Sequence, residues 1–148
     1  MRTLGRRHLI GLGATLAIAP PAFAGTGPLL ALWKHPGCSC CTDWARSYQD
    51  AGFVVVLHEV ADLAPARAVG RVPDDLAGCH TAFVGDYVIE GHVPVAAVLR
   101  LLAERPSISG LAVPGMPIGS PGMEVAGVPA EPYDVVAFSA DGIRFPFG

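Results

Sequence analysis

Charge is scarce in this chain. Asp, Glu, Lys and Arg make up 16% of its 148 residues, acids outnumber bases, and no lysine/arginine cluster follows Arg7. A nucleic-acid partner is therefore disfavoured, because phosphate binding needs concentrated positive charge. A membrane span is also lacking: the uncharged apolar stretch from Leu9 to Ala19 is too short to cross a bilayer, and Pro20-Pro21 closes it. There is no internal repeat and no sign of a second domain. What the chain does have is apolar bulk. At 51% hydrophobic it can bury a real core, which excludes disorder.

Arg2, Arg6 and Arg7 precede the apolar stretch, and Ala22-Phe23-Ala24 has the small-x-small form of a signal-peptidase site. Residues 1–24 thus read as a cleaved export signal and residues 25–148 as one domain with no membrane span. Arg6-Arg7 followed by His8-Leu9-Ile10 also fits a twin-arginine signal, with the general secretory route as the alternative. Cleavage would remove three arginines and no acid, taking the formal charge from −3 to −6. The expected compartment is the periplasm.

Three of the four cysteines, Cys38, Cys40 and Cys41, fall within four positions. The apolar run Leu29 to Trp33 reads as a strand and Pro36-Gly37 as a turn. Trp44, Ala45, Tyr48 and Ala51 then mark one face of a helix. The cysteines therefore sit on a strand-to-helix turn, where free backbone N–H groups and the helix dipole favour a thiolate. Three readings of this turn compete. Cys38 and Cys41 form a C-x-x-C pair like the active-site turn of glutaredoxins, with Cys38 as nucleophile and Cys41 as resolving residue. In that reading Cys40 is a liability, free to form a competing disulfide. In a soft-metal site a third sulfur helps, since thiolates favour Cu(I) and Zn(II). A disulfide staple explains the even cysteine count but not the crowding, because so short a loop adds little stability.

Phe53 to Leu57 reads as a second strand, parallel to the first, after a helix ended by Gly52. Asp62 caps a short helix running to Val69, with Pro65 in its first turn. Val72-Pro73 and Cys79-His80 lead to a strand Thr81 to Val84, and Gly85-Asp86 turns it into Tyr87 to Glu90. Pro94 opens a helix with Val95, Val98, Leu99 and Leu102 on one face. The order β-α-β-α-β-β-α predicts an α/β, thioredoxin-like core. In that fold the proline before the third strand is usually cis, and Pro73 is the candidate. From Gly110 to Met123 the glycine and proline content predicts an ordered loop or mobile lid, and Tyr133 to Phe138 with Ile143 to Phe147 a C-terminal β-hairpin.

In this topology Cys79 and His80 approach the cysteine turn. His92 reads as a residue that starts a helix rather than as a ligand. His35 lies on the cysteine loop, and His58 carries no local signal. Met116 and Met123 lie in the Gly/Pro loop outside any periodic core pattern, and thioethers select Cu(I) over Zn(II).

The Cys-x-Cys-Cys-x-x-Trp turn, Val72-Pro73, Cys79-His80-Thr81-Ala82, the segment Tyr87 to Pro94 and the loop Gly110 to Glu124 together resemble the bacterial domain-of-unknown-function 411 family. The resemblance spans Leu29 to Phe145. It implies a thioredoxin-like, periplasmic metal-binding protein of copper handling or resistance. Its site residues carry over as Cys38, Cys40, Cys41, Cys79 and His80, with Met116 and Met123 in the late loop. Ser39 stands where such sequences commonly have glycine. The expected cargo is copper, as Cu(I), with zinc as the alternative, and the expected partner is a copper-donor or copper-acceptor protein. A binding protein is favoured over an enzyme, the alternative being a thiol-disulfide oxidoreductase.

Overall fold

In a computed structural model, residues 26–148 are described; the export signal expected at residues 1–24 lies outside them. Alternation along the first strand, β1 (Leu29–Lys34), buries Leu30, Leu32 and Lys34 and sends Trp33 to the other face. There Trp33 stacks on His58, its neighbour in register on β2 (Val54–Glu59). Between the two strands runs α1 (Ser39–Asp50), which buries Trp44, Ala45 and Tyr48 and leaves Ala51 exposed beyond its end. The Trp44 indole N–H and the Tyr48 hydroxyl both donate to the Val93 carbonyl, each at 2.9 Å. Gly52, at φ +91°, stands just past the helix as its sequence position predicts.

Next comes α2 (Ala64–Gly70), where Asp62 accepts the Ala64 N–H at 2.9 Å. A 3₁₀ turn, Asp74–Leu76, leads to β3 (His80–Val84), and the two-residue turn Gly85-Asp86 joins it to β4 (Tyr87–Gly91). Then α3 (Val95–Glu104) follows Pro94. Up to this point the element order is the one read from the sequence.

Three further strands, β5 (Gly110–Val113), β6 (Val136–Phe138) and β7 (Arg144–Pro146), complete a seven-stranded sheet in the order β2-β1-β3-β4-β5-β6-β7. The β1/β2 and β4/β5 pairs are parallel and the others antiparallel. One core cluster joins the α1 side chains to Leu30, Leu32, Ala82, Val84, Ile89 and Leu111 of the sheet and to Val98 and Leu101 of α3. The alternate residues Val88, Ala112 and Phe138 form a smaller cluster with Val72 and Leu76 on the opposite face.

Four expectations need correction. Gly110–Val113 is not loop but a fully buried strand, and the irregular segment starts only at Pro114. The C-terminal hairpin is shorter than predicted, and it extends the main sheet through β5. On α3 the buried residues are Val98 and Leu101, whereas Leu99 is 47% exposed. No peptide bond among the described residues is cis, so Pro73 is trans; it opens the 3₁₀ turn instead of preceding β3 directly.

The buried β5 depends on Gly110, because a Cβ there would lie 1.9 Å from the Val88 carbonyl oxygen. Gly110→Ala is expected to destabilise the protein by about 1–3 kcal/mol, the usual cost of overpacking. Urea denaturation measures this, and a variant within about 0.5 kcal/mol of the parent, as for an innocuous surface change, would mean that β5 is not packed this way.

Candidate metal centre

Cys38 occupies the N-cap of α1 in extended conformation. Its carbonyl, not its thiol, serves the cap, accepting from Thr42 N–H at 3.3 Å and Thr42 Oγ1 at 3.1 Å. The sulfur is thereby left for other bonds. Cys40 and Cys41 occupy the first turn, Cys41 buried beneath the helix and Cys40 partly accessible. A disulfide joins Cys38 and Cys41, and Cys40 and Cys79 are free thiols.

The fourth cysteine arrives from the loop before β3. Its backbone is held by Glu90, a fully buried β4 residue whose carboxylate accepts from Gly78 N at 2.7 Å, Arg67 Nε at 3.0 Å and Thr81 Oγ1 at 2.6 Å. Arg67 also donates to the Gly78 carbonyl at 2.5 Å, so both sides of Gly78 are fixed immediately before Cys79. The consequence is a defined sulfur position. Cys79 Sγ lies 3.6 Å from Cys41 Sγ, while Cys40 Sγ lies 3.5 Å from Cys38 Sγ. All four sulfurs fall within 4.8 Å of one another.

Cys79 belongs to a second group as well. His80 Nδ1 is 3.4 Å and His92 Nε2 2.9 Å from its sulfur. His92 Nδ1 donates to the Pro121 carbonyl at 2.7 Å, which leaves Nε2 as the acceptor facing the Cys79 thiol. His80 is fully buried against Trp44, with ring centroids 4.3 Å apart, and its Nε2 has no hydrogen-bond partner among the described residues. A buried histidine with an orphaned ring nitrogen, its other nitrogen against Cys79, fits a soft metal: thiolate and neutral imidazole are the donors that Cu(I) and Zn(II) take.

Electrostatics keeps this end of the site neutral until something displaces the protons. Burial, reinforced by the neighbouring Cys40, pushes the Cys79 thiol up to about 12. Burial, reinforced by His92, pushes His80 down to about 3, and burial also lowers His92. Neutral imidazoles are ready to ligate, whereas a metal must expel the Cys79 proton.

The predicted site residues therefore divide. Cys38, Cys40, Cys41 and Cys79 are brought together in one group, and His80 joins Cys79 and His92 in a second that shares only Cys79 with the first. Met116 is 53% exposed, and Met123 is partly buried one residue after Gly122, whose Cα packs over the Cys40 carbonyl and the Trp44 amide. His35 is exposed, with its carbonyl accepting from Cys38 N–H at 3.3 Å. His92, expected only to start a helix, instead contacts Cys79. The hairpin held the signal: Thr81 pairs with Glu90, and counting two residues further out on each strand sets Cys79 opposite His92.

Residues 76–123, which contain Cys79, His80, His92 and both loop methionines, match the family described as "Protein of unknown function, DUF411". Two solved structures of the copper resistance protein copG extend the match. Form 1 is 37% identical, with 81% of this chain and 94% of that chain covered and a TM-score of 0.76. The chain belongs to the DUF411 family. Form 2 is 36% identical to this DUF411 protein, with 82% and 97% covered and a TM-score of 0.77. No curated protein sequence matches this DUF411 member significantly.

The neutrality of His80 has a measurable consequence. Its unfolded value is near 6.5 and its folded value about 3, so below pH 6.5 the unfolded chain binds a proton that the folded chain refuses. Stability supplied by neutral His80 is complete above pH 6.5 and is lost as pH falls toward 3. Between pH 7 and pH 5 the parent's urea midpoint is expected to fall more than that of His80→Gln. Equal falls would show that His80 titrates normally.

Proposed function

We propose that this DUF411 protein is a periplasmic copper-binding protein of thioredoxin-like fold that holds Cu(I) as a chaperone or sequestering protein in copper handling or resistance. The observation that carries the reading is the convergence of three other cysteine sulfurs and two imidazoles on Cys79. The copper resistance protein copG, at 37% identity, supports it. The β2-β1-β3-β4 order, with β1 and β2 parallel and β3 and β4 antiparallel, supports the thioredoxin-like assignment. Residues 1–24 would direct export. Among the described residues no helix is long and apolar enough to cross a membrane.

The ion is cargo rather than a resident cofactor. Cys38, Cys40, Cys41 and Cys79 would supply thiolates, His80 and His92 imidazoles, and Met116 and Met123 thioethers from the late loop. A disulfide withdraws two of these donors, so loading requires Cys38 and Cys41 to be reduced. The partner is a protein that delivers or receives copper.

A second reading rests on that same disulfide. A bond between the N-cap and the first turn of a helix suits a thiol-disulfide oxidoreductase, with Cys38 attacking and Cys41 resolving. It gives no role to His80 and leaves Cys40 and Cys79 dispensable.

Competition titration of Cu(I) against a chromogenic chelator, on reduced protein, separates the two readings. Cys40→Ser and Cys79→Ser are expected to weaken Cu(I) binding by more than about a hundredfold, a loss that even an outer partner of a ligand can cause. Met116→Ile with Met123→Ile should weaken it by about tenfold, or 1.4 kcal/mol, and leave Zn(II) affinity nearly unchanged. Oxidised protein should bind far less. Parent-like copper binding in all these variants, with Cys38→Ser alone abolishing insulin reduction, would replace the copper reading with the oxidoreductase one. Stoichiometric zinc that copper does not displace would replace it with a structural zinc site.

A further inference from the structure

Each sulfur of the Cys38–Cys41 disulfide has a free thiol beside it: Cys40 lies 3.5 Å from Cys38, and Cys79 lies 3.6 Å from Cys41. Thiol–disulfide exchange needs a sulfur nucleophile in contact with a disulfide sulfur and a leaving thiolate that the protein stabilises. The two neighbours differ in what they would release. Attack by Cys40 on Cys38 expels Cys41, which is fully buried, where a thiolate is costly. Attack by Cys79 on Cys41 expels Cys38, at the partly exposed N-cap of α1, where free amides and the helix dipole stabilise the anion.

We infer that the disulfide of this site is mobile: Cys79 attacks Cys41 and transfers the bond from Cys38–Cys41 to Cys41–Cys79, releasing Cys38. The step is balanced within the chain. The Cys79 S–H proton passes to His92 Nε2, 2.9 Å away, the Cys79–Cys41 bond forms, and the Cys38–Cys41 bond breaks with its electron pair left on Cys38. No external oxidant or reductant is consumed. His92 is oriented for this by its own hydrogen bond to Pro121. The exchange consumes a protonated thiol at the Cys79–His92 end of the site and leaves a thiolate on Cys38 at the helix turn. A disulfide on another molecule would therefore meet Cys38 even when the protein already carries an internal disulfide. The inference concerns metal-free protein and does not depend on the copper reading.

The test uses metal-free Cys40→Ser protein carrying one disulfide, in which Cys79 is the only thiol if the bond stays where the structure has it. Iodoacetamide is added at neutral pH, and the alkylated and disulfide-linked peptides are mapped by mass spectrometry. Alkylation at Cys38, with the α1 peptide cross-linked to the Cys79 peptide, is the expected result. Adding His92→Phe should slow the appearance of that product by at least about tenfold, as for loss of a proton acceptor. The parent chain, with Cys40 present, should yield the same Cys41–Cys79 cross-link. Label confined to Cys79 with Cys38–Cys41 retained, or no label until the protein is unfolded, would overturn the inference. Either result would leave Cu(I) binding by reduced protein untouched.

Discussion

The Glu90 carboxylate is completely removed from water, where breaking an ion pair by deleting one partner typically costs about 3–5 kcal/mol. It persists because its partners come from three places at once: Arg67 on α2, the Gly78 amide in the loop, and Thr81 on β3. Arg67 is itself partly exposed, which moderates the electrostatic gain, so the backbone N–H and the hydroxyl matter as much as the ion pair. Together these bonds lock α2 and the approach to β3 onto the hairpin. Gly78 adds a steric limit, since a Cβ there would lie 2.7 Å from Gly91 Cα. The chain entering Cys79 thus has little freedom, and the sulfur separations around it follow from that restraint.

Cys79 is where two kinds of chemistry meet. Toward α1 it faces sulfurs, two of them already joined; toward the β3/β4 hairpin it faces imidazole nitrogens that burial keeps uncharged. A group with both neighbours can give its proton up to a metal or to an incipient sulfur–sulfur bond. In either case the new bond, not the solvent, must repay the desolvation of the anion. The high proton affinity of this thiol is a barrier that metal loading and disulfide exchange at this atom would share.

How much of this was legible in the residue order depended on whether each signal was local. The strand-to-helix turn carrying Cys38, Cys40 and Cys41, the parallel β1/β2 pair and the β3/β4 hairpin followed from periodicity and turn residues. Strand β5 did not, because Gly-Leu-Ala-Val is only four residues long and is defined by burial between β4 and β6 rather than by any pattern of its own. Leu99 and Leu101 exchanged roles on α3 because a helix rich in apolar residues offers more than one stripe, and packing on the sheet selects among them. Glu90 and Arg67 carry no local signal, because their pairing exists only once α2 packs against the hairpin. His92 was recoverable from the hairpin register, but its neighbours Gly91, Val93 and Pro94 drew attention to the helix start instead.

The late loop is coupled to the site through its backbone. Pro121 accepts the His92 proton donor, and Gly122 lies so close to the Cys40 carbonyl that any side chain there would collide at 2.5 Å. Ser120 is fully buried, and Gly119, Ser120 and Met123 bond among themselves to fix the turn that carries both contacts. The loop therefore holds the tautomer of His92 and covers one side of the cysteine turn at the same time. A change at Cys79, by metal or by a new disulfide, alters what His92 Nε2 meets, and through Nδ1 it alters the strength of the bond to Pro121. The irregular Gly/Pro/Met segment is in this way part of the site's restraint, with Met123 one residue from the contact.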